Sequence, residues 1–326
     1  MSEQPLLEVS QLSKKFEVKG GFFKRNREYI HAVNGVNLSL GKQETLGLVG
    51  ESGSGKSTLG RLIMQLLPVD QGQVHFMGHE LTNLNFKQLI HHRSAMQMIF
   101  QDPQDSLNAR MSIGDIILEP LTIAKKLTPR ERRIKLGELL QLVGLSEGIK
   151  DRYPHEFSGG QRQRIGIARA LALSPKLIIA DEPVSALDVS IQAQVLNLMK
   201  DLQEQLGISY LFIAHDIHVI FFISSQIAVM YLGEIMEQGP SASLREQPQH
   251  PYTRGLMDSV PFPNPERQQN FKGIEGEVPS LIHLPQGCKF HPRCPIAEEK
   301  CRLLAPKLEP CGEEGNHLVA CHLAKR

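Results

Sequence analysis

The segment Gly50-Glu51-Ser52-Gly53-Ser54-Gly55-Lys56-Ser57 restricts this chain more than any other stretch of it. Its glycines let the backbone turn inward so that successive amides face an anion, and a helix beginning at Lys56 adds the partial positive charge of its N-terminus. The apolar run Thr45 to Val49 before it reads as a short strand, and Lys56 to Leu67 after it reads as a helix stopped by Pro68. Strand, glycine loop and helix in that order fit the phosphate-binding loop pattern. Lys56 is placed to reach β- and γ-phosphates and the Ser57 hydroxyl to ligate Mg²⁺, with Thr58 next to it in the first turn.

Further apolar runs extend this frame. Leu177 to Ala180 and Tyr210 to Ala214 suit buried parallel strands, with a helix between them whose stripe is Val195, Leu198, Met199, Leu202 and Leu206. The alternation predicts a parallel α/β core. Glu8 to Leu12 and Val33 to Leu40 alternate apolar and polar residues and predict an N-terminal antiparallel sheet, with the basic, aromatic segment Gly20 to Tyr29 as a solvated hairpin, contact with lipid headgroups or a partner being the alternative. The stretch from about Ser106 to Tyr153 holds no convincing strand. Thr128, Pro129 and Glu131 make a capping-box start and Gly144 a stop, so an inserted helical subdomain is expected there. Beyond Gly239 prolines recur and all five cysteines follow, which predicts an irregular extension. The division expected is 1–240 for the core and 241–326 for the extension.

Acidic pairs and glycine turns define the chemistry. Leu177-Ile178-Ile179-Ala180-Asp181-Glu182 is an apolar strand that delivers two acids at its carboxyl end, Asp181 to hold Mg²⁺ through water and Glu182 to act on an attacking water as general base. Phe157-Ser158-Gly159-Gly160-Gln161 opens a helix from Gln161 to Leu173 and makes a second anion-binding helix terminus. Two such termini with one phosphate-loop lysine suggest that two chains share each nucleotide. Lys and Arg total 36 against 35 for Asp and Glu, so no net field marks nucleic acid as a partner. No signal-peptide pattern opens the chain, which predicts a cytosolic protein, and the densest apolar run, Val219 to Ile223, is far shorter than the ~20 residues of a membrane span.

The Ser158 segment resembles the signature motif of the ABC ATPase family, which in that family contacts the γ-phosphate of ATP on the opposite subunit; the family usually begins the motif with leucine, where Phe157 stands here. The resemblance covers roughly the first 240 residues. It implies that Gln101 is the lid glutamine that senses Mg²⁺ and the attacking water. It makes Ser185-Ala186-Leu187-Asp188 the loop that crosses the dimer interface and His215 the switch histidine. Phe16 becomes the aromatic that stacks on adenine by cation-free π contact. The implied fold is a P-loop ABC ATPase core with an antiparallel β-subdomain and a helical insert on which membrane subunits dock.

His250-Pro251-Tyr252-Thr253, Gly276-Glu277-Val278-Pro279-Ser280 and the cysteine-rich tail resemble the extension of peptide-importer ATPases, and the residues from Asp181 to Asp188 resemble the second of the two ATPases such systems encode. That resemblance implies an ATPase that energises import of di- or oligopeptides. Its partners would be two membrane permeases, a second homologous ATPase in a heterodimer, and indirectly an external binding protein. Its place would be the cytoplasmic face of the bacterial inner membrane. Import of nickel or another solute and a non-transport ABC ATPase are the competing readings. Cys288, Cys294, Cys301 and Cys321 lack the paired spacing of a zinc ribbon. The resemblance associates them with a [4Fe–4S] cluster; structural zinc and plain buried thiols are the alternatives, and Cys311 is a bystander.

Overall fold

A computed structural model describes residues 4–18, 27–101, 106–124, 127–259, 273–312 and 315–324. Most of the expected hairpin at Gly20 to Tyr29 lies outside them. The chain folds as two compact units. The first comprises Met1–Leu40, Thr45–Thr82 and Ala214–Arg326, and the second Gly41–Glu44 and Asn83–Ile213.

In the first unit, β1 (Leu7–Val18), β2 (Glu28–Leu40), β4 (Gln71–Phe76) and β5 (His79–Glu80) form an antiparallel sheet in the order β2-β1-β4-β5. Alternation largely decides which face is covered: exposed Glu8, Asn37 and Ser39 separate buried Leu7 and Val9 of β1 and Val36, Leu38 and Leu40 of β2, and a register shift between Val9 and Leu12 returns Leu12 to the buried side. A second set of strands runs in the order β11-β12-β10-β9-β3, from Glu309–Pro310, Leu318–Val319, Glu234–Pro240, Gln226–Tyr231 and Thr45–Val49. All five residues of β3 are buried, as expected of a strand covered on both faces. It pairs parallel with β9.

The strands expected to be parallel are so, and an antiparallel edge joins them. β9 and β10 are antiparallel because Leu232 and Gly233 between them both take positive φ, 44° and 84°, the tight turn that returns a strand on its neighbour. The extension then adds its own strand: β12 pairs with β10, so residues 318–319 belong to the same set of strands as the phosphate-loop strand.

The second unit holds three parallel strands in the order β8-β7-β6, from Ser209–Ala214, Leu177–Asp181 and Met96–Ile99. The helix Val189–Leu206 buries Val195, Leu196, Met199 and Leu202. Leu206 of the expected stripe is 39% exposed because it is the last residue before Gly207, whose left-handed φ of 65° turns the chain away. Between 106 and 153 the described residues form helices Ile113–Ala124 and Pro129–Leu142 and a short 3₁₀ turn, with no strand. Thr128 Oγ1 accepts the Glu131 N–H at 3.3 Å while Glu131 Oε2 accepts the Thr128 N–H at 2.8 Å, the reciprocal cap read from the sequence. No helix among the described residues is long and apolar enough to cross a membrane.

Candidate functional site

The phosphate-binding loop lies wholly in the first unit. Its helix spans Lys56–Ile63, shorter than expected, because Gln65 takes φ 53° and the Leu66 N–H returns to the Arg61 carbonyl at 2.9 Å, ending the helix before Pro68. At the other end Gly55 is the N-cap with φ 106°, no side chain caps the helix, and no acid sits in its first turn. A Cβ at Gly55 would meet the Ala32 carbonyl, so only glycine fits there. With no acid in its first turn, the N-terminal end of this helix dipole suits an anion.

Lys56 is buried, and its ammonium donates to the Gly50 and Glu51 carbonyls at 2.7 and 2.9 Å and to Ser54 Oγ at 3.3 Å. The lysine thus crosses its own loop and holds the curve that the amides need. Ser52 and Gly53 are exposed, and Ser57 and Thr58 are half-buried in the first turn. Glu51 is anchored twice: its N–H donates to the Tyr252 hydroxyl at 2.8 Å, and its carboxylate takes the Arg293 guanidinium at 2.6 and 3.1 Å. His215, exposed after β8, belongs to this unit. Phe16, half-buried on β1, also does, and the Lys14 ammonium lies 5.6 Å from its ring centroid, so the ring face expected to be free of cations has one near it.

In the second unit, β7 delivers Asp181, 1% exposed, and then Glu182. Glu182 has φ 47°, an uncommon conformation for a residue with a side chain, and its N–H is fixed to the Ile213 carbonyl at 2.9 Å. Gln101, just past β6, donates from Nε2 to Glu182 Oε2 at 3.1 Å. The structure therefore brings together the residues read from sequence as lid glutamine and general base, with strand pairing of β6 to β7 setting their registration.

The second glycine turn sits on the helix Gly159–Leu171, which begins two residues earlier than Gln161 because Ser158 is its N-cap. Ser158 Oγ accepts the Gln161 N–H at 3.4 Å and the Gln161 side chain accepts the Ser158 N–H at 3.1 Å. Ser158 and Gly159 are exposed, whereas a Cβ at Gly160 would strike Ile191. Phe157 is buried under the Arg152 guanidinium, 4.8 Å from its ring, and Arg162 Nε donates to its carbonyl at 2.9 Å. A large side chain at 157 is an anchor that leaves the exposed Ser158 and Gly159 unobstructed. Asp188, exposed, opens the helix Val189–Leu206 without a side-chain capping bond.

Sequence reading missed Tyr252 as a loop anchor and Arg293 altogether, which stand far along the chain from the loop. One signal was legible: an acid inside a phosphate-binding loop opposes the anion unless a cation neutralises it.

The five cysteines form no disulfide. Burial pushes the Cys288 thiol up to about 11, with Cys321, Cys301 and Cys294 adding to the effect, and burial followed by Cys321 and Cys301 raises Cys294. Cys288, Cys294, Cys301 and Cys321 are therefore near enough to feel one another's charge, and the donor chemistry suits a soft metal. Among the described residues, however, no three His, Cys, Asp or Glu side chains stand in the arrangement of a metal site, so the thiols are gathered without a preformed cage.

A buried phosphate-loop lysine, a glutamine on the carboxylate that follows the buried Asp181, and a serine-capped glycine turn together define an ABC-type ATP-binding cassette. The family profile described as ABC transporter matches residues 33–185, and that described as oligopeptide/dipeptide transporter, C-terminal region, matches residues 236–301. The oligopeptide transport ATP-binding protein AppF of Bacillus subtilis is 49% identical over 325 residues, covering 99% of this chain and 98% of that protein. OppF of Escherichia coli, likewise an oligopeptide transport ATP-binding protein, is 50% identical over 321 residues, 97% of this chain and 95% of that one. The dimeric, ADP- and Pi-bound cassette MJ0796 superposes with a TM-score of 0.64 at 29% identity, covering 72% of this chain and 98% of that chain. The chain belongs to the ATP-binding subunits of ABC-type oligopeptide and dipeptide transporters.

Proposed function

We propose that this chain binds and hydrolyses ATP to energise peptide import, as a subunit working with membrane permeases. The observation that carries the reading is the Gln101–Glu182 hydrogen bond, which aims a carboxylate held at positive φ. Glu182 polarises the attacking water and Gln101 holds that carboxylate in place. Lys56, the loop amides and Ser57 hold the phosphates, and Asp181 with Ser57 and Gln101 would hold Mg²⁺, which supplies neutralisation of charge on the transferring phosphoryl group. His215 faces the γ-phosphate, and Phe16 stacks on the adenine.

Ser158, Gly159, Gly160 and Gln161 act on nucleotide held by a second ATPase subunit, a heterodimer in this family's pattern. Val189, 83% exposed beside Asp188, is an apolar surface consistent with such a partner. Ile123 and Ile134, 81% and 53% exposed on the helices between 106 and 153, support that region as the permease contact. The working protein is then peripheral, on the cytoplasmic face of the inner membrane, with an external binding protein delivering peptide. Residues 1–240 form the ATPase domain and 241–326 the extension, where Cys288, Cys294, Cys301 and Cys321 are the donor set for a [4Fe–4S] cluster or zinc; the mutual influence of the thiols supports this. Protein purified anaerobically without iron or zinc would remove that assignment.

The experiment is Glu182→Gln, tagged and trapped with ATP in membranes. Retained ATP, hydrolysis reduced by at least about a hundredfold, and co-purification of multi-spanning subunits with a second ATPase are expected. Normal turnover would take Glu182 out of the base role.

A further inference from the structure

Glu51 places a negative charge inside a loop built to hold polyanionic phosphate. Left alone, that carboxylate would repel the nucleotide. It is not left alone, because the Arg293 side chain, 5% exposed, grips both of its oxygens at 2.6 and 3.1 Å. This is the two-pronged geometry that fixes a carboxylate in direction as well as in charge. Hydrogen bonding to Glu51 is the main reason the guanidinium is held more firmly protonated than usual.

The backbone of the same residue is fixed by the extension too. Tyr252 accepts the Glu51 N–H at 2.8 Å, and burial, the largest influence on its phenol, keeps that hydroxyl protonated. Tyr252, Tyr231 and Phe290 pack ring against ring at centroid separations of 4.6, 5.3 and 5.4 Å, and Arg293 Nη1 also reaches the Tyr231 hydroxyl at 3.4 Å. Neither anchor belongs to the nucleotide-binding motifs; both come from beyond residue 240, and both converge on one residue of the loop.

We propose that Arg293 and Tyr252 are positioning residues for ATP: Arg293 cancels the Glu51 charge, Tyr252 fixes the loop backbone, and the extension thereby takes part in nucleotide binding. The proposal rests on the assignment of Gly50 to Ser57 as the phosphate-binding loop. It places a binding role on residues outside every motif of the ATPase core.

The test is MgATP affinity of the full-length chain by calorimetry. Arg293→Met leaves the Glu51 carboxylate unpaired beside the phosphates and is expected to weaken binding about tenfold, less at high salt, where exposed charge is screened. Glu51→Gln/Arg293→Met removes the offending charge as well and is expected to recover to within about threefold of the unaltered protein. A purely structural role for Arg293 would give no such recovery. Unchanged affinity in Arg293→Met, or a double variant as weak as the single one, would overturn the proposal. Should Arg293→Met not fold, Arg293→Gln, which removes the charge but keeps a hydrogen-bonding side chain, and Tyr252→Phe, which keeps the ring cluster, read the same quantity. Wild-type affinity in both would overturn it equally. Lys56→Ala separates this idea from the one beneath it: full ATP binding by that variant would defeat the phosphate-loop assignment itself, whereas lost binding in Lys56→Ala with intact binding in Arg293→Met would defeat only the role of the extension.

Discussion

Acidification is expected to destabilise this protein through a single imidazole. His250 is 1% exposed, and its Nδ1 accepts the Tyr252 N–H at 3.0 Å, capping the helix Pro251–Asp258. Burial is the main reason its pKa is pushed down from 6.5 to about 4; Glu237 acts against that and Arg254 with it. An unfolded chain takes up the proton near 6.5, whereas the folded one refuses it until about 4. The unfolded state therefore binds more protons in that window, so this contribution to stability is complete above it and is lost as the pH falls through it. Each pH unit inside the window is worth about 1.4 kcal/mol, which makes the loss about 2 kcal/mol by about pH 5. Asparagine caps a helix as well as any residue and does not titrate. Urea unfolding of the wild type and of His250→Asn, each at about pH 7.5 and about pH 5, isolates the effect, since all other titrations are common to both. The wild type should lose about 2 kcal/mol more than the variant over that interval. Equal losses would refute the reasoning, because they would mean the imidazole is not held neutral by burial.

Other outcomes follow from the site. Ser158→Arg removes the reciprocal cap and puts a cation where the helix terminus already supplies positive charge; ATPase activity should fall by on the order of a hundredfold while ATP binding to the altered chain's own loop persists, measured by turnover and by calorimetry. Gly55→Ala forces a side chain onto the Ala32 carbonyl at φ 106°, so ATP affinity should drop by at least about tenfold in the same titration. Thr128→Ala should cost about 1 kcal/mol of stability by urea unfolding, through loss of one N-cap.

Features that depend on neighbouring residues were legible in the sequence. The strand, glycine turn and helix order around Gly50 to Ser57, the apolar strand that ends at Asp181 just before Glu182, and the Thr128 cap all depend on residues a few positions apart, and the structure has each of them. Helix ends were read less well where a single residue's φ decided them: nothing in the composition of Gln65 announces a left-handed turn. The antiparallel return at Leu232 and Gly233 escaped for the same reason. Ser158 illustrates an intermediate case, its cap partner three residues away but its helix starting two residues before the one expected. Long-range pairing was beyond reach. Glu51 to Arg293 joins residues separated by 242 positions, and only the electrostatic oddity of an acid in that loop hinted that a cation would come from somewhere.

That separation sets an order of events during synthesis. A ribosome adding about 5–20 residues per second needs roughly 10–50 seconds to travel from Glu51 to Arg293. Throughout that interval the nascent chain carries a glycine loop whose acid lacks the Arg293 counter-charge, and until Tyr252 is made its backbone lacks that tyrosine too. On the role proposed for Arg293, such a fragment holds ATP about tenfold less firmly than a chain that has passed Arg293, so its affinity for nucleotide rises only once that part of the extension has been made.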